Sequence, residues 1–301
     1  MAKKIQITDP KKENPALMCR ALEDGNILFF PKIPFKFAKK DIDFLLTQKQ
    51  SGSKSRKNIA YKPQKDCITN CEGKDKEKLY KALKSYSYNV QKFLGEFLKP
   101  YEDQWHVDYA SFRPFQEKGR DLRIRARNDL LHLDAFPTRP MHGKRILRFF
   151  TNINQNEPRN WVTGDSFSTL LEKFGKEVGL PKKIERSLLM LLLKKAKGGA
   201  KKLGFPVNMR SPYDEFMLKF HHFLKENENV QKIGKKDHWS FPPLSCWMVF
   251  TDQVTHAALS GQYALEQTFL VPKFAMLQPE KAPVSVLERL TGYTTVTPEF
   301  S

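Results

Sequence analysis

Leu130-Leu-His132-Leu-Asp134-Ala-Phe-Pro137 is the segment of this chain whose residue types and spacing could do chemistry. In an extended chain, residues two apart face the same side. His132 and Asp134 would therefore point an imidazole and a carboxylate into one cavity. A third ligand from a distant strand would complete a two-His, one-carboxylate face with open positions, the ligand set suited to non-haem Fe(II) oxygenases. His256 fits, because Trp247-Met-Val-Phe-Thr-Asp-Gln-Val-Thr-His256 reads as a core strand delivering a histidine. A second His-x-Asp, His106-Val-Asp108, competes with the first. The apolar approach to His132 and the turn at Pro137 favour 132/134. His106, next to a helical Tyr101–Trp105 segment, reads as structural.

An oxygenase of this type with 2-oxoglutarate as co-substrate needs a buried cation for the distal carboxylate, best an arginine in bidentate geometry. Many oxygenases place that cation shortly after the distal histidine. Here no Lys or Arg occurs between His256 and Lys273. Three arginines instead stand in apolar or aromatic settings: Arg113 in Ser-Phe-Arg-Pro-Phe, Arg148 in Ile-Leu-Arg-Phe-Phe and Arg159 in Glu-Pro-Arg-Asn-Trp161. Such arginines can snorkel at a surface; three of them near the candidate ligands read as an anion cradle.

The elements that must position these groups follow from periodicity. Asn26–Phe37 reads as a short strand running into a proline-restricted extended segment. Asp41–Gln48 reads as a brief helix. From Asp75 to Leu98 apolar residues recur three to four positions apart (Leu79, Leu83, Tyr86, Val90, Phe93, Phe97), which predicts one amphipathic helix ending before Pro100. Short β-rich runs are predicted at Trp105–Phe112, Leu122–Ala126, Leu130–Ala135 and Ile146–Ile153. A helical pattern covers Phe167–Lys197, ended by Gly198 and Gly199, and another covers Pro212–Glu226. Ser245–Pro272 returns to β texture. Strands, a helical insertion around 167–230 and further strands predict an α+β fold: a double-stranded β-helix, jelly-roll or cupin-like, with flanking and inserted helices. No boundary divides it, so residues 1–301 are expected to form a single domain.

The chain carries 52 basic and 33 acidic side chains, a formal charge of +19, which points to an anionic partner: nucleic acid, membrane surface or substrate. Four cysteines are too few for a disulfide framework and are expected to be reduced thiols. Cys67 and Cys71 have no further Cys or His pair at zinc-finger spacing. The start lacks the apolar stretch of a signal peptide. The longest aliphatic run, Leu188–Leu193, is far short of the roughly 20 residues of a membrane span. Both features suggest the cytoplasm and leave surface attachment open. Leu188–Lys202, where a Leu/Met-rich run meets Lys194, Lys195, Lys197, Lys201 and Lys202, is either core helix with a solvated end or a surface that lies on anionic lipid. Lys54–Lys65 is a second basic stretch, read as a loop. Zinc-finger, RNA-recognition and helix-turn-helix patterns are missing, which argues against nucleic acid.

Seven runs follow one another in a consistent order: Lys57-Asn-Ile-Ala-Tyr61, Ser111-Phe-Arg-Pro-Phe115, His132-Leu-Asp134, Leu147-Arg-Phe-Phe-Thr-Asn-Ile-Asn154 with Pro158-Arg-Asn-Trp161, Arg210-Ser-Pro-Tyr-Asp-Glu-Phe-Met-Leu218, His221-His222, and Trp247 through His256. Through them the sequence resembles the bacterial Kdo 3-hydroxylases, membrane-associated iron- and 2-oxoglutarate-dependent oxygenases of lipopolysaccharide biosynthesis. The resemblance implies a jelly roll, iron at His132, Asp134 and His256, and 2-oxoglutarate contacts from Arg113, Arg148, Arg159 and Trp161. It also implies a catalytic histidine near the metal. His221 aligns best, and a one-residue shift would substitute His222. The implied reaction uses O2 and 2-oxoglutarate to hydroxylate carbon 3 of Kdo on a Kdo-containing lipid A precursor, giving Ko. Carried with it are peripheral association with the cytoplasmic face of the inner membrane and no expected nucleic-acid partner. The nearer rival is a jelly-roll oxygenase acting on another anionic substrate, since a fold does not specify a pocket's substrate.

Overall fold

Eleven strands and seven α-helices are set out in the computed structural model, which describes residues 2–48, 58–181, 210–232 and 234–296. The strands are β1 (Lys4–Gln6), β2 (Ile27–Phe30), β3 (Ile59–Lys62), β4 (Cys67–Thr69), β5 (His106–Arg113), β6 (Arg145–Asn152), β7 (Arg159–Ser166), β8 (Asp237–Phe241), β9 (Cys246–Phe250), β10 (Val254–Ser260) and β11 (Ala264–Val271). The helices are α1 (Pro15–Glu23), α2 (Lys39–Leu46), α3 (Lys76–Phe97), α4 (Phe167–Val178), α5 (Pro212–Glu226), α6 (Glu228–Lys232) and α7 (Pro283–Thr291). An eight-stranded sheet in the order β1-β2-β9-β6-β11-β5-β3-β4 faces a three-stranded sheet, β10-β7-β8. Among the described residues only the β1–β2 pair is parallel. The result is the expected α+β jelly roll.

Strand alternation divides the large sheet into two chemically different faces. On β6, Phe149 meets Phe30, Phe35 and Phe93 on the side covered by α1 and α3. Phe150, the next residue, packs on Trp161 and Trp247 between the sheets. The inter-sheet core is small and aromatic, built from Ile27, Phe29, Phe150, Trp161, Phe241, Trp247, Val249, Val254 and Ala258. Arg148 shares the inner face with Phe150 by the same alternation. Its β11 partner Thr268 and the neighbouring Glu266 lie there too. Charge is thus carried into the sandwich on the strands that build its core.

Most expected elements stand where periodicity put them, and the exceptions have physical causes. Leu122–Ala126 is not a strand: Ile124–Ala126 forms one 3-10 turn with Ile124 exposed, so the Leu-Arg-Ile-Arg alternation reflects no buried face. Trp247–His256 is two strands, β9 and β10, reversed by a turn at Thr251–Gln253. That turn is held by Arg145, whose guanidinium bonds Asp252 at 2.8 and 3.2 Å with neither residue exposed to water. The expected Phe167–Lys197 helix stops at Val178, where Gly179 takes φ +84°. The rest of that expectation, with the Leu188–Lys202 surface and part of Lys54–Lys65, lies outside the described residues. Strands β1, β3, β4, β7 and β8 and helices α1, α6 and α7 were not anticipated.

Candidate metal centre

Leu130–Ala135 makes no ladder. It touches the small sheet through a single antiparallel bridge, His132 opposite His256, in which each backbone N–H donates to the other's carbonyl at 3.1 and 3.0 Å. Several of its remaining backbone groups find partners off the sheet. Asp134 N donates to the Thr251 carbonyl at 2.8 Å. The Gln231 amide bonds both the N–H and the carbonyl of Leu131, each at 2.9 Å, as a neighbouring strand would. These bonds keep the segment extended, so alternation survives without a strand. Leu131 and Leu133 are buried in the main core, and His132 and Asp134 turn the other way.

The two histidines are oriented by their own backbone. His132 Nδ1 donates to the Leu130 carbonyl at 2.7 Å and His256 Nδ1 to the Val254 carbonyl at 3.0 Å. Because a carbonyl only accepts, each Nδ1 carries the proton and each Nε2 keeps its lone pair. Those Nε2 atoms lie 3.8 and 4.0 Å from the two oxygens of Asp134. One donor atom from each of the three buried residues falls within 4.8 Å of the others. Asp134 Oδ2 is buried and meets the Arg148 guanidinium at 3.0 Å. Burial opposes its ionisation, but the Arg148 guanidinium holds the carboxyl far below the usual range. Burial also holds His132 well below 6.5, with Lys225 adding to the effect, and lowers His256. Neutral imidazoles with free Nε2 atoms beside an ionised carboxylate make a donor set that fits a small divalent cation. A bulge in β7, where Gly164–Asp165 adds a residue opposite Thr255, lies beside His256. A side chain at Gly164 would meet Thr255 Oγ1 at 2.9 Å.

His221, on α5, comes to the same place. Its ring meets His132 edge-on, with centroids 5.1 Å apart, and its Nδ1 donates to the Leu133 carbonyl at 2.6 Å. Burial, reinforced by Lys225, pushes His221 down to about 4, so it is neutral at ordinary pH with an unprotonated Nε2. His222 turns toward Arg125, Glu226 and Arg210 and is only half-buried. Trp161 stacks on the His256 ring at 5.1 Å and 18°.

From Asp134 a run of alternating charges leads between the sheets. Arg148 Nη1 lies 3.0 Å from Asp134 and its Nε lies 3.3 Å from Glu266. Glu266 also accepts from Arg113 Nη2 at 3.0 Å. Arg113, Arg120 and Arg159 then surround Glu117 at 3.7, 3.3 and 3.1 Å. Burial works against both glutamates, but the arginines keep them ionised and below their ordinary values. Burial lowers Arg159 to about 10, which leaves it charged at neutral pH. Arg113 Nε, Arg159 Nε and Trp161 Nε1 are buried without a hydrogen-bond partner. Three of the four residues expected to hold 2-oxoglutarate therefore keep an N–H in reserve, while Arg148 Nε faces Glu266. Glu117 and Glu266, which order these arginines, were not anticipated. Glu266 lies in the stretch after His256 that lacks a cation.

The rival pair is separated from this constellation. His106 is exposed at the start of β5, and Asp108 is committed to Arg139. Among the described residues, the group of three whose donor atoms could share a metal is His132, Asp134 and His256.

Residues 6–294 match the family described as 3-deoxy-D-manno-oct-2-ulosonic acid (Kdo) hydroxylase. The chain belongs to the Kdo hydroxylase family. Among solved structures, it is similar to the Kdo hydroxylase KdoO, a non-haem Fe(II) alphaketoglutarate-dependent dioxygenase, in complex with alphaketoglutarate and Fe(III). Identity is 33% over 98% of this chain and 97% of that one, with a TM-score of 0.83. Apo KdoO is 34% identical over 98% and 97% of the two chains, also at 0.83. The KdoO complex with succinate and Fe(III) is 32% identical over 98% of each chain, at 0.82. No curated protein sequence matched the chain. These Kdo hydroxylase relatives span essentially the whole chain, both sheets and the helices between them included.

Proposed function

We propose that this Kdo hydroxylase family member uses Fe(II), 2-oxoglutarate and O2 to hydroxylate carbon 3 of Kdo in a Kdo-containing lipid A precursor, giving Ko. One observation carries the reading: a buried two-His, one-carboxylate donor set stands beside three buried N–H groups that lack partners, on Arg113, Arg159 and Trp161. His132, Asp134 and His256 would hold the iron. Arg113, Arg148, Arg159 and Trp161 would hold 2-oxoglutarate, whose two negative charges suit a cradle of arginines. When bound, iron with 2-oxoglutarate supplies oxygen activation: one oxygen atom enters the sugar C–H bond, and the other enters succinate as carbon dioxide leaves. The chain's own share is placement. Asp134 is kept ionised by Arg148, the ligand imidazoles are kept neutral by burial, and the aromatic core excludes water. His221 would act beside the metal, its free Nε2 able to hold a proton or a water at the reacting carbon.

The reading extends to location. A charge of +19 suits a phosphorylated lipid substrate and an anionic bilayer, and among the described residues no helix is long and apolar enough to cross a membrane. Peripheral attachment at the cytoplasmic face of the inner membrane is the arrangement proposed. The function is tested by anaerobic iron loading, then exposure to oxygen with 2-oxoglutarate and Kdo–lipid A. Succinate should form together with a sugar heavier by one oxygen atom. Succinate formed without that gain would leave the oxygenase class standing and remove Kdo as substrate.

A further inference from the structure

The helix that brings His221 to the metal centre also carries a buried cation that neither the donor set nor the arginine cradle uses. Lys225 stands four residues after His221 on α5, hence on the same helix face, and only 4% of it is exposed. Its Nζ donates to the Arg125 carbonyl at 3.0 Å. Its charge is felt by His132, His221 and His256, and the carboxylates that act on it in turn are Asp134 and Asp129. Neither carboxylate pairs with it. Asp129 is gripped by Arg127 at 2.9 and 2.6 Å, and Asp134 faces Arg148 and the two histidines. Glu226, the next residue, is engaged by Arg125. Among the described residues Lys225 thus has a carbonyl acceptor and no anionic partner. Burial pushes it down to about 8. An ammonium taken out of water without a counter-ion is costly, and beside a metal centre a ligand anion would offset that cost.

The placement separates two anion sites. The cradle arginines come from the inner faces of β5, β6 and β7, between the sheets. Lys225 comes from the helical side, one helical turn beyond His221, with its Nζ on the Arg125 carbonyl. A co-substrate dianion in the cradle leaves Lys225 available for the second substrate. Resting on the proposed function, the chemistry of that substrate is specific: a 2-ulosonic acid carries its carboxylate on carbon 2, next to the carbon 3 that is hydroxylated. We propose that Lys225 is a substrate-binding residue that receives the sugar carboxylate and so aims carbon 3 at the metal centre.

The test compares wild type, Lys225→Met and Lys225→Arg on Kdo–lipid A and on the same lipid with its Kdo carboxyl methylated. For Lys225→Met, KM for the acid should rise about ten- to a hundredfold, the size of a lost hydrogen bond to a charged group. Its dissociation constants for Fe(II) and 2-oxoglutarate should be unchanged. Wild type should lose about as much on the ester as the Met variant loses on the acid. The Met variant should no longer separate acid from ester, and Lys225→Arg should restore part of the discrimination. Equal wild-type KM values for acid and ester would overturn the proposal even if the Met variant failed to fold. So would a Met variant that keeps the discrimination, or one that loses iron with KM for the acid unchanged. If wild type did not hydroxylate Kdo at all, the proposed function would fall and this inference with it. A wild type that hydroxylates both forms equally would remove Lys225 alone.

Discussion

At the scale of the residue, the centre depends on which ring nitrogen each histidine has left. His132 and His256 both give Nδ1–H to carbonyls two residues earlier in the chain, so their Nε2 atoms are presented before any ion arrives. Replacing His132, Asp134 or His256 by Ala should abolish Fe(II) binding in anaerobic titration while the far-ultraviolet circular dichroism stays native. Iron retained in His132→Ala but lost in His106→Ala would reverse the ligand assignment. His221→Gln should keep iron and slow hydroxylation by about a hundredfold, the usual scale for a positioned proton-handling group. His222→Gln should stay near wild type. Parallel iron titrations and steady-state rates decide between the two neighbours. Glu117 gives a pH signature. Its folded-state pKa lies below its ordinary value of 4.5, so below that pH the unfolded chain takes up protons that the folded chain refuses. The stability this carboxylate contributes is therefore present above pH 4.5 and lost as pH falls through the depressed value. Melting temperature followed downward from pH 6 should drop less steeply in Glu117→Gln than in wild type; parallel curves would count against the buried charge network.

At the scale of the element, the ligand segment shows how an extended stretch can exist without a sheet. The His132-x-Asp134 spacing was legible because period-two alternation depends on backbone conformation, and the Leu131/Leu133 face goes to the core as expected. That the segment would be a strand was a natural error: a lone bridge and a glutamine side chain do the work of a ladder, and nothing local encodes Gln231. Gln231→Ala leaves two backbone groups of Leu131 without those partners. It should cost about 1–3 kcal/mol in chemical denaturation and weaken iron binding, since the same segment carries two of the proposed ligands. Denaturation curves and iron affinity matching wild type would show that Gln231 is dispensable. Strand β7 escaped notice for a related reason. Arg-Asn-Trp-Val-Thr-Gly-Asp-Ser is polar and contains a bulge, so its β character comes from pairing with β10 and β8 rather than from propensity. Leu122–Ala126 shows the converse, an alternating pattern with no sheet to join.

At the scale of the molecule, helices cover one face of the large sheet and the small sheet covers the other. That arrangement places the arginines inside, beside an aromatic core, while most of the +19 charge remains for the surface. Sedimentation with vesicles should show binding to anionic lipid that falls steeply between low and physiological salt, because exposed charges are screened within about 8–10 Å. Binding that ignores salt, or is equal on zwitterionic vesicles, would sink the membrane proposal.

By itself the sequence determined the residue types, the same-side pairing of His132 with Asp134, the inward arginines, the α+β class and the excess of positive charge. All of these follow from composition or from periods of two and 3.6 residues, which are local. Only the tertiary structure decided that His256 closes on His132 through a backbone bridge, that His221 rather than His222 meets that ring, and that Glu117 and Glu266 order the arginines. It also showed Lys225 buried without a carboxylate partner. These depend on burial and on which distant groups satisfy each donor and acceptor, and no local pattern in the chain records either.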